Sequence, residues 1–125
     1  MTLNETTGHI VDASMRVHST LGPGLLESAY EACLAYELRK RGLHVLTQQP
    51  VPVRYEGVCI EVGYRLDLLV NEQAIVEVKA IAKVLPIHEA QLLSYLKLTG
   101  HKVGLLINFH VPHLKEGIRR LANNA

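Results

Sequence analysis

Arg65-Leu66-Asp67-Leu68-Leu69-Val70-Asn71-Glu72-Gln73-Ala74-Ile75-Val76-Glu77-Val78-Lys79 holds two runs of strand-forming residues joined by the polar connection Asn71-Glu72-Gln73. Two such runs across so short a connection read as a β-hairpin. Centred on Glu72, the pairing sets Leu66 against Val78, Leu68 against Val76, Asp67 against Glu77 and Arg65 against Lys79. One face is then apolar, and the other carries two carboxylates directly across from each other. Like charges in that position destabilise a hairpin by roughly a few tenths of a kcal/mol unless a cation lies between them. A divalent metal turns the repulsion into binding, and Mg²⁺ (or Mn²⁺) takes oxygen ligands, commonly one or two carboxylates plus substrate phosphate. Lys79 follows Glu77 on the same face, two strand rises of roughly 3.3 Å away. Its ammonium is placed to position an attacking water or to stabilise charge building on a phosphate. The plainer alternative is a solvated β-face, where Asp, Glu and Lys alternate because one side of an antiparallel sheet meets water.

Outward from the hairpin, period-two alternation predicts strands over residues 51–55, past Pro50, and 58–62, past Gly57; the hairpin strands cover 65–70 and 74–81. Before them, Ile10, Ala13, Met15 and Val17 recur near helical spacing over 8–21, up to Gly22-Pro23-Gly24. Leu26, Tyr30, Cys33, Leu34 and Leu38 then mark a helix over 25–41, closed by Gly42. Downstream, Pro86 opens a helix over 87–99 that Gly100 ends; a strand over 103–107 and a short last helix over 113–122 complete the chain. With no repeat or linker, 125 residues read as one α/β domain.

A chain 48% hydrophobic and 20% charged is not disordered, and its apolar excess predicts a covered surface such as a homodimer interface. Thirteen basic against 12 acidic residues, net +1, argues against tight unaided DNA binding, though a metal and local cations can still supply positive potential at a phosphate. No apolar run approaches the roughly 18 residues of a membrane span, and residues 1–7 lack the order of an export signal, so a cytoplasmic protein is expected. Cys33 and Cys59 are then expected as buried thiols in a reducing compartment. His110 and His113 flank Val111-Pro112 without ligand spacing, Ser28 and Ser94 have no arranged His and acid, and no Gly-rich loop cradles a nucleotide phosphate.

Gly24-Leu25-Leu26-Glu27-Ser28-Ala29-Tyr30 is a GxxExxY motif, and Asp67 with Glu77-Val78-Lys79 forms a D…ExK signature. In this order and separation, over about residues 10–121, the chain resembles the GxxExxY proteins of the PD-(D/E)XK nuclease superfamily. Leu66 stands where the signature has Pro, so the assignment of Asp67 leans on the hairpin register. The resemblance implies a restriction-endonuclease-like αβββαβ core, a mixed central sheet flanked by helices, with an extra N-terminal helix and the site at one sheet edge. It implies Asp67 and Glu77 as metal ligands, Lys79 as the catalytic lysine, Glu27 as a further acid reaching the metal, and Gln91 with Tyr95 as a supporting pair. Gln91 and Tyr95 are four apart on one helical face, with His88 a turn earlier on the same stripe. Arg65, Tyr30 and His88 are candidate substrate contacts, Tyr30 packing in the core with its hydroxyl turned to a site carboxylate. The expected activity is Mg²⁺-dependent hydrolysis of DNA or RNA. The alternatives are a nuclease-like domain that binds nucleic acid or a protein without cutting, and a structural dimerising module.

Overall fold

The computed structural model describes residues 1–124. Thr2 and Glu5 exchange hydrogen bonds, each side chain accepting the other's backbone N–H at 3.1 and 2.9 Å. This reciprocal cap starts α1 (Leu3–Leu21) earlier than the apolar spacing alone predicted. Helix α2 (Glu27–Lys40) follows the Gly22-Pro23-Gly24 turn. Strand β1 (Val45–Pro50), unforeseen in the sequence, comes next. The short strands β2 (Val53–Tyr55) and β3 (Val58–Ile60) pair only with each other, forming an arm outside the main sheet. Strands β4 (Arg65–Val70) and β5 (Ala74–Lys79) are the expected hairpin, α3 (Pro86–Thr99) starts on Pro86, and β6 (Val103–Asn108) and β7 (Ile118–Ala122) complete the chain.

The main sheet has the order β1-β4-β5-β6-β7. Only β5 and β6 run parallel, because α3 carries the chain back across the sheet between them; the other neighbours are antiparallel. In the hairpin Leu68 pairs with Val76, Leu69 with Ile75 and Val70 with Ala74, the register centred on Glu72. Asn71 and Glu72 both adopt positive φ, 53° and 52°, and the Gln73 N–H returns to the Val70 carbonyl at 2.9 Å. Such a turn matches the twist of the flanking strands. The result is a mixed α/β architecture of restriction-endonuclease-like type, a five-stranded mixed sheet flanked by helices with α1 leading.

Both sheet faces are covered. Leu68, Val76, Val78 and Leu105 pack against Ile10, Tyr30 and Leu34 of α1 and α2, while Ile75 and Leu106 pack against Leu92, Tyr95 and Leu96 of α3. Every residue of β5 from Ala74 to Val78 is buried, which rules out the solvated-face reading of the hairpin. Among the described residues no helix is long and apolar enough to cross a membrane.

Two expectations require correction. Residues 113–122 do not form a helix: a 3₁₀ turn, Leu114–Gly117, leads into β7, which pairs antiparallel with β6 from Ile107–Ile118 to Val103–Ala122. The exposed edge of β6 offers hydrogen bonds that outweigh the weak helical spacing. Gly117 lies so close to the chain that a Cβ there would stand 2.2 Å from the Asn108 carbonyl oxygen, so the tight approach needs glycine. Nor are the cysteines buried. Cys33 lies on the outer side of α2 and Cys59 on the β2–β3 arm, and both are exposed.

Candidate active site

Beyond the Leu68–Val76 pair, two carboxylates take over the work of the backbone ladder between β4 and β5. The Asp67 N–H donates to Glu77 Oε2 at 2.8 Å, and the Val78 N–H donates to Asp67 Oδ2 at 2.8 Å. The two acids therefore face each other across the strands, as the Glu72-centred register predicts. Glu77 is only 4% exposed. Burial, and then the Asp67 charge, push its carboxyl up to about 8, partly countered by the Asp67 N–H and the Lys79 ammonium. A buried acid raised in this way by burial and a neighbouring charge is a functional-site candidate.

Helix α2 brings two more acids to this gap. Glu27, at its first turn, accepts the Ala80 N–H at 3.2 Å, just past Lys79. Glu31, one turn on, is also held above the ordinary carboxylate range, by burial first and then by the Asp67 charge, against the opposing effect of its bond to Gln48. The Gln48 carboxamide donates to Glu31 Oε1 at 2.8 Å and to Asp67 Oδ1 at 3.3 Å, joining the acid of α2 to that of β4. Gln48 adopts φ 52°, a left-handed conformation uncommon for a side chain of its kind, at the point in β1 that faces Asp67. Neither Glu31 nor Gln48 was singled out in the sequence. Glu31 had a signal, its four-residue spacing from Glu27 on one helical face. Gln48 had none, since its place depends on the β1–β4 pairing.

Lys79 is half-buried at the end of β5, and the chain leaving it is held firmly. Its carbonyl accepts the Phe109 N–H at 2.8 Å, while the buried Asn108 carboxamide accepts the Ile81 N–H at 3.1 Å and donates to the Ile81 carbonyl at 2.9 Å. Among the described residues the ion pairs join Arg16 and Arg41 to Glu37 and Asp12; none ties up Lys79 or a site carboxylate.

From the other side of the sheet, α3 contributes Tyr95. Its phenol is raised first by burial and then by the charges of Glu77, Tyr64 and Asp67, so the ring lies within electrostatic reach of both acids. Gln91 and Tyr95 line one groove, as their shared helical face predicts. A larger cavity of about 570 Å³, between α1 and β6–β7, contains Met15, Leu105 and Ile118 but none of these acids.

A family profile described as the PD-(D/E)XK nuclease superfamily matches residues 4–121. The chain belongs to the PD-(D/E)XK nuclease superfamily. No curated protein and no solved structure matches it. PD-(D/E)XK nucleases generally use divalent metals and act on nucleic acid. In this superfamily member the oxygen donors suit a hard divalent cation, and the Asp67 charge, after burial, raises the proton affinity of Glu77 and Glu31. Among the described residues no three His, Cys, Asp or Glu side chains stand gathered as ion ligands. Asp67 and Glu77 each turn one oxygen to a backbone N–H instead.

Of three other positions proposed for this PD-(D/E)XK chain, two are otherwise engaged and the third, Arg65, stands exposed at the rim. Tyr30 is fully buried and stacked on Phe109, with ring centroids 4.5 Å apart. Its hydroxyl donates to the Gly22 carbonyl and accepts the Leu25 N–H at 3.1 Å, rather than meeting a site carboxylate. It thus pins the Gly22–Pro23–Gly24 turn from within, which fixes where Glu27 enters α2. Tyr30→Phe is expected to lose roughly 0.5–1.5 kcal/mol of stability, read from urea midpoints, because a part-buried carbonyl and N–H lose their partner; an unchanged midpoint would contradict this role. His88 Nδ1 accepts the Leu85 N–H at 2.8 Å, capping the start of α3. Arg65 pairs with Pro50 of β1, and its exposed guanidinium donates to the Gln48 carbonyl at 3.1 Å, at the rim near Asp67.

Proposed function

We propose that this chain is a divalent-metal-dependent nuclease that hydrolyses phosphodiester bonds of DNA or RNA in the cytoplasm, with Mg²⁺ (or Mn²⁺) as its ion. The observation that carries this reading is the Asp67–Glu77 pair, a half-buried and a buried carboxyl group that face each other, with Lys79 two residues on and free of any described ion pair. Asp67 and Glu77 hold the ion, and Glu27 is placed to join them from α2. When bound, the ion would supply positive charge at the scissile phosphate and acidify the attacking water. The Lys79 ammonium orients that water and stabilises charge developing on the phosphate oxygens. Tyr95 and Gln91 support the site from α3, and Arg65 contacts a neighbouring phosphate.

The test is incubation of the purified protein with single- and double-stranded DNA and with RNA, in Mg²⁺ or Mn²⁺, beside Lys79→Ala. Metal-dependent cleavage lost in the variant supports the reading. Cleavage undiminished by the substitution is contamination and removes it.

A second reading is a nuclease-like domain that binds nucleic acid or a protein partner without cutting. It is favoured by the way Asp67 and Glu77 each commit an oxygen to a backbone N–H. Metal-induced thermal stabilisation without turnover would select it. A homodimer is part of either proposal, and a monomeric mass in sedimentation at micromolar concentration would exclude it.

A further inference from the structure

A groove of about 350 Å³ runs along α3, lined by Val53 of the β2–β3 arm, by Tyr64 just before β4, and by Ile87, Gln91, Tyr95 and Leu98 of α3. That volume suits a small planar group rather than a large ligand. The groove lies near the acid centre. Tyr95 feels the charges of Glu77 and Asp67, and Tyr64 stands three residues before Asp67 with Arg65 next to it.

Its chemistry differs from that of a phosphate site, since neither an acid nor a cation lines it. It presents apolar walls, two phenol rings, one carboxamide and the Ser94 hydroxyl. Tyr64 is 47% exposed, and its ring centroid lies 6.1 Å from that of Tyr95 at an interplanar angle of 55°. Such a tilted, half-exposed ring leaves a π-face on which a flat heterocycle can stack. The Gln91 carboxamide offers both a donor and an acceptor to the edge of such a ring. Bases in an intact duplex are stacked inside and cannot enter, whereas an unpaired or everted base can.

We infer that this groove holds an unpaired nucleobase beside the phosphate being cut, so that the substrate class is single-stranded or locally unpaired nucleic acid; this rests on the nuclease reading above. Arg65, exposed at the junction, then contacts the backbone between the base in the groove and the scissile phosphate.

The test measures binding in the Lys79→Ala background, so that the probe is not consumed. Fluorescein-labelled oligodeoxythymidylate, its duplex with oligodeoxyadenylate, and an abasic oligomer of equal length are compared by anisotropy. The single strand is expected to bind at least about tenfold more tightly than the abasic oligomer, the worth of one stacked base. Tyr64→Leu should erase that margin and Tyr64→Phe should keep it, with melting temperatures confirming that both variants fold. Equal binding of the base-bearing and abasic oligomers, or indifference to Tyr64→Leu, overturns the inference and leaves the groove to a side chain of a protein partner. Cleavage by the unmodified protein that ignores Tyr64 sinks the base site alone. Tyr64-dependent binding without any cleavage upholds the base site and sinks only the hydrolytic reading. Neither binding nor cleavage sinks both.

Discussion

Lys79→Ala is expected to lower metal-dependent cleavage by about a hundredfold or more at saturating substrate, since removal of a single positioned donor to a developing oxyanion costs about that much. The loss should fall on kcat rather than KM, because an ammonium that acts on charge present only in the transition state adds little to ground-state binding. The fold should not suffer. Lys79 joins the sheet through its backbone, as the partner of Asn108 and the acceptor of the Phe109 N–H, and its side chain is only half-buried without a described ion pair. An unfolding midpoint within roughly 0.5 kcal/mol of the parent is therefore expected. A variant that stays folded and whose preparation cleaves as fast as the parent's would mark that cleavage as contamination and remove the nuclease reading.

Glu77→Gln should change the pH dependence of stability in the metal-free protein. With its carboxyl raised from 4.5 to about 8, native Glu77 keeps its proton across that interval while the unfolded chain has released it. The native state then binds more protons than the unfolded state, so stability falls as pH rises from about 5 to about 8. At 1.36 kcal/mol per pH unit the full effect is on the order of a few kcal/mol. The amide of Glu77→Gln can accept the Asp67 N–H in the same geometry without a charge to bury, so the variant should lose the slope and exceed the parent in stability near pH 8. Urea midpoints in a chelator across that range measure this. Parallel curves for the two proteins would mean that Glu77 titrates as an ordinary carboxylate. In the parent, added Mg²⁺ should stabilise most at the alkaline end, where the acid is ionised and can act as a ligand.

The hairpin was the most legible part of the chain. Period-two alternation with a short polar connection fixes both strands and their register, because a one-residue slip would send Leu68 and Val76 out of the core. The facing of Asp67 and Glu77 follows from that register alone. The GxxExxY segment placed Glu27 beside the site, but it misdirected Tyr30, whose hydroxyl goes to Gly22 and Leu25. Sequence spacing shows that a tyrosine points inward; it does not name the partner of its hydroxyl. His88 was likewise aligned with Gln91 and Tyr95, yet a backbone N–H at the start of α3 takes its ring nitrogen.

Local pattern thus settled what neighbouring residues decide among themselves: the first three helices, the hairpin and its register, and the pair of acids facing each other. Contacts between residues distant in the chain settled the rest. Thr47-Gln48-Gln49 carries too little apolar alternation to announce a strand, and β1 forms because β4 offers it an open edge; β7 replaces a helix because β6 does the same. Only with β1 in place does Gln48 reach both Glu31 and Asp67, and only with α2 and α3 on opposite faces of the sheet is Glu77 buried. Hydrogen bonding at strand edges and the removal of water from a charged group both depend on what the chain brings from afar, and no window of neighbouring residues contains that information.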